Sequence, residues 1–302
     1  MAALRLLEVT MEQSSGGIAR GFVNRIAVCF DFDRTLSEGS FEKLLARLGV
    51  DDDQRWRSER LEPLIKQHGW DEILAKGWLL ADLAEARGEA ITRDLVHEVG
   101  RSLEPFQGVA DILPALRRLG AEASEGAEVE LYVVSSGFVD IICHSTIADL
   151  FDDIWGSSLH FGDDGRLQAV KRSLIHSEKA RYLLALAKGL DIAGANEPQD
   201  VHRGKPAEEW HVPVDQMIYV GDGGSDLDAF NLLHDRGGIA IAVNASEHGE
   251  PWQARDHMFD GARVENLAPP DFREGTEMHR TLSLAVEIVA KKVAIRRMAR
   301  GE

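Results

Sequence analysis

Short apolar runs alternate with amphipathic helical patterns along most of the chain. Four runs are apolar enough to form buried parallel strands, at residues 26–30, 129–134, 217–220 and 239–243. Helical periodicity precedes the second and third runs, at residues 109–119 and 178–190. This alternation predicts an α/β fold, a doubly wound, mostly parallel Rossmann-like sheet. In such sheets ligands bind beyond the carboxyl ends of the strands.

One long segment interrupts the alternation with helical patterns alone. The patterns cover residues 41–48, 61–67, 71–87 and 92–103, and Thr92 is the predicted N-cap of the last one. We interpret this segment as an inserted helical cap domain, after which the turn at residues 105–108 returns the chain to the sheet.

The tryptophans and the arginines of the insert are assigned to different surroundings. The three tryptophans Trp56, Trp70 and Trp78 are expected to form the core of the cap. The three arginines are expected on a solvated face, at Arg55, Arg57 and Arg60.

The predicted organisation therefore has four parts. They are an N-terminal extension (1–25), an α/β catalytic core (26–36 and 105–272), the helical cap (37–104) and a C-terminal helix (273–302). Within the core, turn residues between two strand-like pieces predict a β-hairpin at 154–169. The last helix has apolar positions at helical spacing and cations near its end, where they suit the helix dipole.

Composition and charge narrow the class of protein. The chain has 302 residues, of which 44% are hydrophobic and 28% charged, as in soluble globular proteins. The net charge of −17 provides no positive field for nucleic acid or for an anionic membrane, so neither is an expected partner. Two cysteines and no apolar run of about 18 residues favour a cytoplasmic protein without a membrane span.

Polar side chains follow three of the predicted strands. Asp31 and Asp33 come after the first, residues 135–137 (Ser-Ser-Gly) after the second, and Asp222 and Asp226 after the third. Carboxylates that leave an apolar strand lose hydration and repel each other, so they need a cation or a catalytic use. Carboxylates, a hydroxyl and turn amides together suit a hard cation such as Mg²⁺ beside phosphate oxygens.

A positive side chain for this crevice is predicted at Lys179. On the helix at 178–190 it shares a face with three leucines, Leu183, Leu186 and Leu190. That face points into the protein, where a lysine requires an anionic partner.

The string Asp-Phe-Asp-Arg-Thr-Leu at residues 31–36 resembles the DxDxT motif of haloacid dehalogenase superfamily phosphatases. Ser135 is similar to the hydroxyl of that family's second motif, Lys179 to the lysine of the third, and Asp222 with Asp226 to the acid pair of the fourth. The long interval before Ser135 resembles the phosphoserine-phosphatase-like members, which insert a helical cap there.

The chain also departs from that subgroup. Ser40 stands where the phosphoserine enzymes place a substrate-binding glutamate, Ser225 where many relatives have asparagine, and Ser136 where they often have glycine. The resemblance therefore implies the phosphatase chemistry without implying phosphoserine as the substrate.

The resemblance implies a Mg²⁺-dependent phosphomonoester hydrolase that acts on a small phosphorylated metabolite through an aspartyl-phosphate. Asp31 would be the nucleophile, and Asp33 would act first as general acid and then as general base. The implied phosphate-binding residues are Ser135, Ser136 and Lys179. The implied metal ligands are Asp31, the backbone carbonyl of Asp33, Asp222 and Asp226.

Other interpretations of the same residues stay open. The aspartyl-phosphate could pass to an acceptor alcohol in a phosphotransferase, or the fold could serve as a catalytically silent binding or regulatory protein. Individually, Asp226 could cap the next helix, Ser135 could be a turn residue and Lys179 could extend to solvent. The sequence does not specify the substrate, the cap residues that select it, or whether the chain forms a homo-oligomer.

Overall fold

The computed structural model describes residues 23–191, 198–206, 209–244 and 264–299, so most of the predicted N-terminal extension lies outside the described residues. Strands in these ranges are β1 (Arg25–Phe30), β2 (Glu128–Phe138), β3 (Asp153–Phe161), β4 (Leu167–Arg172), β5 (Met217–Gly221), β6 (Ile239–Val243) and β7 (Asn266–Ala268). They form one seven-stranded sheet in the order β4-β3-β2-β1-β5-β6-β7. Neighbouring strands are parallel except β3 and β4, which form the predicted hairpin.

Helices connect these strands and cover both faces of the sheet. They are α1 (Ser40–Arg47), α2 (Asp53–Trp56), α3 (Glu62–His68), α4 (Glu72–Arg87), α5 (Arg93–Arg101), α6 (Val109–Ala123), α7 (Val139–Ile142), α8 (His176–Lys188), α9 (Leu227–Arg236) and α10 (Glu277–Met298). A π-helical stretch, Arg57–Leu61, joins α2 to α3. The predicted doubly wound α/β fold is confirmed.

Alternation along β1 divides the core into two layers. Ile26, Val28 and Phe30 face the layer that α6 and α10 close, whereas Ala27 and Cys29 face the layer of α8 and α9. All five side chains are fully buried, which is why the strand lacks the polar positions of a half-exposed one. No helix in the described ranges is both long and apolar enough to span a bilayer.

The segment 37–104, called the cap segment below, contains α1 to α5. It contacts the β3–β4 hairpin, where the amide of Leu167 donates to the carbonyl of Ile91 at 2.8 Å, and its two ends lie together at the sheet. Ser37 pairs with both Asp33 and Pro105, and its hydroxyl donates to the carbonyl of Glu104 at 2.9 Å. The amide of Phe106 donates to the carbonyl of Leu36 at 2.8 Å. The chain therefore leaves and re-enters the sheet through two hydrogen-bonded linkers.

Three tryptophans are expected to form the core of the cap segment, and this prediction is wrong for two of them, which are exposed. Trp70 and Trp78 are 38% and 47% exposed, and their rings contact each other at 5.6 Å beside α4. Trp56 is partly buried against Phe41, with 6.0 Å between the ring centroids. The helices of the cap segment bury only the inner side of α4, through residues such as Ile73 and Leu80, so its outer side stays in solvent.

The predicted turn at residues 105–108 packs tightly against the segment that leads into α10. Gly108 has a φ of 84°, and a Cβ on it would lie 2.3 Å from the amide nitrogen of Arg273. The amide of Phe272 donates to the carbonyl of Gln107 at 2.8 Å, which keeps the two segments in contact. Only glycine satisfies both the left-handed backbone and this approach.

We predict that Gly108→Ala lowers the free energy of unfolding by about 3 kcal/mol, since it combines backbone strain with a backbone collision. Gly275→Ala is the matched control, because Gly275 has a φ of 83° with no atom near its absent Cβ. The control should cost only about 1 kcal/mol, from strain alone. Urea unfolding measures both, and equal losses would contradict the packing argument.

Candidate functional site

Three strand ends converge on one crevice because β1 lies between β2 and β5 in the sheet, with all three parallel. Asp31 follows β1, Asp222 follows β5, and the amide of Asp31 donates to the carbonyl of Val220 at 2.8 Å. One carboxylate oxygen each from Asp31, Asp222 and Asp226 lies within 4.8 Å of the other two. We call these three residues the carboxylate cluster.

Lys179 reaches the carboxylate cluster from α8, on the inward face that the leucine spacing predicts. Its side chain is fully buried, with Nζ 3.1 Å from Oδ1 of Asp31 and 2.6 Å from Oδ1 of Asp226. Burial alone would lower the pKa of Lys179, but the charges of Asp226 and Asp31 outweigh it and raise the pKa. Lys179 is therefore charged, and it does not extend to solvent.

Asp226 precedes α9 at the N-cap position, yet its side chain does not cap the helix. Its Oδ1 accepts hydrogen bonds from Lys179 and from the hydroxyl of Tyr219 at 2.7 Å, and its Oδ2 accepts from the amide of Gly223 at 3.1 Å. The sequence did not lead us to Tyr219. Its phenolic hydroxyl, in an otherwise apolar strand, was the only feature that could have indicated a place in the site. A Cβ on Gly221 would lie 2.4 Å from the carboxyl carbon of Asp226. Because glycine has no Cβ, the strand can pass beside the Asp226 side chain.

The carboxylate cluster is crowded with negative charge. Burial raises the pKa of Asp31, the Asp226 charge adds to this, and Lys179 opposes it. Burial, together with the charges of Asp31 and Asp226, raises the pKa of Asp222 to about 7.

Lys179 offsets one of the three carboxylate charges when all three are ionised, and its ion pair is the contact that Oδ1 of Asp31 makes. Two uncompensated negative charges on oxygen ligands are what a divalent hard cation would neutralise, so these residues fit such an ion.

Asp33 lies outside the carboxylate cluster, although its side chain lines the same cavity. Its Oδ1 accepts from the amide of Ser40 at 2.7 Å, and its Oδ2 accepts from the Ser40 hydroxyl at 3.0 Å. Burial raises the pKa of Asp33 to about 6, with the Asp31 and Glu42 charges adding to the rise and the Ser40 bonds opposing it. Such a carboxyl can donate or accept a proton near neutral pH.

The predicted turn at residues 135–137 is wrong, because β2 continues through it to Phe138. The register of β2 against β3 shifts between Val134 and Phe138, as in a β-bulge, and this can re-aim side chains. The amide of Gly137 donates to Oγ of Ser135 at 3.1 Å. Oγ of Ser136 is buried without a hydrogen-bond partner, and both serines line the cavity.

A cavity of about 240 Å³ opens above these residues, and the cap segment forms its roof. The roof residues are Phe41, Glu42, Arg57, Glu72, Ile73 and Lys76. They include three ion pairs, from Arg57 to Glu42 at 3.1 Å, from Arg57 to Glu72 at 3.6 Å and from Lys76 to Glu72 at 2.8 Å. Arg57, the first residue of the π-helical stretch, thus lines the cavity and is not on a solvated face as expected, whereas Arg55 and Arg60 are exposed.

No protein-family model matches the sequence. A protein from Borreliella burgdorferi, itself described as uncharacterized, is 24% identical over 282 residues, covering 85% of this chain and 94% of the relative.

Solved structures give a clearer likeness. A phospho-aspartyl intermediate analogue of phosphoserine phosphatase has a TM-score of 0.53 at 18% identity, covering 86% of this chain and 98% of that one. A HAD family hydrolase from Salmonella enterica serovar Typhi has a TM-score of 0.56 at 13% identity, covering 87% and 71%. The chain therefore has the haloacid dehalogenase-type fold that phosphoserine phosphatases share.

We predict that Lys179→Met lowers the free energy of unfolding by about 3 kcal/mol at neutral pH, because it leaves buried carboxylates unpaired. Since the pKa of Asp31 is already raised, acidification protonates the cluster and the loss should shrink as the pH falls. Urea unfolding of wild type and variant across pH measures this difference.

Lys188→Met is the matched control, because Lys188 is also a buried lysine on α8. Its amine donates to the carbonyls of Val201 and Arg203, which do not titrate. The stability lost in this variant should not shrink with acid. A Lys179→Met loss that stays constant with pH would show that the carboxylates are not what Lys179 stabilises.

Proposed function

We propose that the protein is a Mg²⁺-dependent phosphomonoester hydrolase that acts on a small phosphorylated metabolite through an aspartyl-phosphate. The observation that supports this most is the position of Asp31, which contacts buried Lys179 and belongs to the carboxylate cluster. The shared fold with phosphoserine phosphatases supports the same chemistry.

In the first step Asp31 attacks the phosphorus of the ester. A bond forms between a carboxylate oxygen and phosphorus while the bond from phosphorus to the leaving oxygen breaks. Asp33 donates its proton to that oxygen, so the product leaves as a neutral alcohol. A pKa of about 6 leaves part of Asp33 protonated near neutral pH.

In the second step water replaces Asp31 on phosphorus. Asp33, now a carboxylate, accepts a proton from the water as its oxygen bonds to phosphorus. The bond between Asp31 and phosphorus breaks, and the Asp31 carboxylate and inorganic phosphate are released. Both steps use the same two residues, and Asp33 ends protonated as it began, its first proton having left with the alcohol and its second having come from water.

The transferring phosphoryl group needs positive charge and hydrogen-bond donors. Lys179, beside Asp31, would supply a fixed positive charge, and the hydroxyls of Ser135 and Ser136, which line the cavity, would donate hydrogen bonds. Oγ of Ser136 has no protein partner, which favours a ligand oxygen as its acceptor. When bound, Mg²⁺ would be held by Asp31, Asp222, Asp226 and the backbone carbonyl of Asp33 and would neutralise charge on the phosphoryl oxygens.

The cavity supports a small leaving group. Its volume of about 240 Å³ is below the range of about 300–1,000 Å³ that is usual for drug-sized ligands. Its charged roof suits a polar alcohol more than an acyl chain.

We predict that Asp31→Asn abolishes phosphate release, lowering the rate by more than about a thousandfold, because the amide cannot serve as the nucleophile. The measurement is phosphate release from a panel of small phosphomonoesters with Mg²⁺. Chelation should stop release by the wild type, and added Mg²⁺ should restore it. Asp163→Asn, on the exposed hairpin turn, is the control that should keep full activity.

Release that persists in Asp31→Asn would rule out the aspartyl-phosphate, and release that chelation leaves unchanged would rule out the metal. Adding alcohols to the same assay tests for transfer to an acceptor, which would appear as new phosphomonoesters.

A further inference from the structure

Ser40 supplies both hydrogen bonds that the structure gives to the Asp33 carboxylate. Its amide donates to Oδ1 at 2.7 Å and its hydroxyl to Oδ2 at 3.0 Å, so one residue holds both oxygens. The Ser40 side chain is fully buried. The hydroxyl that contacts Oδ2 of Asp33 is therefore shielded from solvent, while Asp33 itself lines the cavity.

Ser40 is itself held rigidly, since it is the first residue of α1. The next residue, Phe41, is buried, and its ring lies 6.4 Å from that of Phe138, at the end of β2. Leu44 and Leu45, one turn further along, are fully buried as well. A side chain anchored at such a helix start is more precise than one on a free loop.

The opposite side of the contact is closed by Gly137. A Cβ at this position would lie 2.8 Å from Oδ2 of Asp33 and 3.3 Å from Oγ of Ser40. The backbone of β2 therefore passes against the hydrogen-bonded pair, and neither group has room to turn toward Gly137.

We propose that Ser40 is a positioning residue that orients the Asp33 carboxyl toward the leaving oxygen of the substrate. This rests on the proposed function, in which Asp33 is the proton donor. The hydroxyl of Ser40 can donate or accept, so its contact with Asp33 persists whether or not Asp33 is protonated. Ser40 thus positions the general acid, Asp33. The phosphoserine enzymes have a substrate-binding glutamate at the corresponding position.

If the Asp33 carboxyl group is wrongly oriented, kcat/KM should fall only for substrates whose leaving group must be protonated. An alkoxide is a poor leaving group, whereas p-nitrophenolate departs readily without protonation. Ser40→Ala should lower kcat/KM for glycerol phosphate by roughly tenfold or more, while p-nitrophenyl phosphate changes by less than about threefold. The ratio of the two values is the readout, because a general loss of folded enzyme leaves it unchanged.

Two further variants sharpen the test. Ser40→Thr keeps the hydroxyl and should restore the wild-type ratio. Ser37→Ala removes a buried hydroxyl three positions earlier that donates to Glu104, so its ratio should stay at the wild-type value. Equal losses on both substrates in Ser40→Ala, or no loss on either, would overturn the proposal.

Crystal structures of wild type and Ser40→Ala test the positioning without reference to activity. We expect the carboxyl oxygens of Asp33 to move by about 1 Å or more in the variant, a displacement large enough to impair proton transfer. An unmoved carboxyl group would overturn the proposal. A wild type that hydrolyses no ester would instead count against the proposed function, while the structures still decide whether Ser40 orients Asp33.

Discussion

The buried contact of Lys179 with Asp31 and Asp226 is the interaction on which the rest of the site depends. Burying three carboxylates within 4.8 Å of one another is unfavourable, because each loses hydration and repels the others. Lys179 offsets part of this cost at distances of 3.1 and 2.6 Å, and Tyr219 adds a hydrogen bond to Asp226. One lysine on α8 thereby ties together the end of β1 and the start of α9.

That network still leaves two negative charges, and this imbalance is the physical basis for a divalent cation. A fully neutral cluster would be a structural ion pair and nothing more. The raised pKa values of Asp31 and Asp222 have the same origin, since burial and mutual repulsion penalise the charged forms. A cation would lower both, so in the proposed mechanism metal binding would also prepare Asp31 as the nucleophile.

Two aspartates only two positions apart have different surroundings. Asp31 faces a buried cation, whereas Asp33 faces the amide and hydroxyl of Ser40. Different surroundings allow one carboxylate to act as nucleophile and the other to hold a proton, as in other enzymes with paired acids. Because Ser40 begins α1, the first helix of the cap segment, the helix that contacts Asp33 also carries Phe41 and Glu42 into the roof of the cavity.

The sequence by itself determined β1 to β6 but not β7, together with most of the helices and the acids at the strand ends. Each depends on local periodicity or on residues adjacent in the chain, and Lys179 was found because helical spacing placed it on a buried face. Only the tertiary structure decided that β2 continues past Ser135, that Arg57 turns inward and that Trp70 stays exposed. It also decided that Ser40 contacts both oxygens of the Asp33 carboxylate. These outcomes depend on which surfaces meet across the sheet and the cap segment, and periodicity along one chain segment contains no information about its distant neighbours.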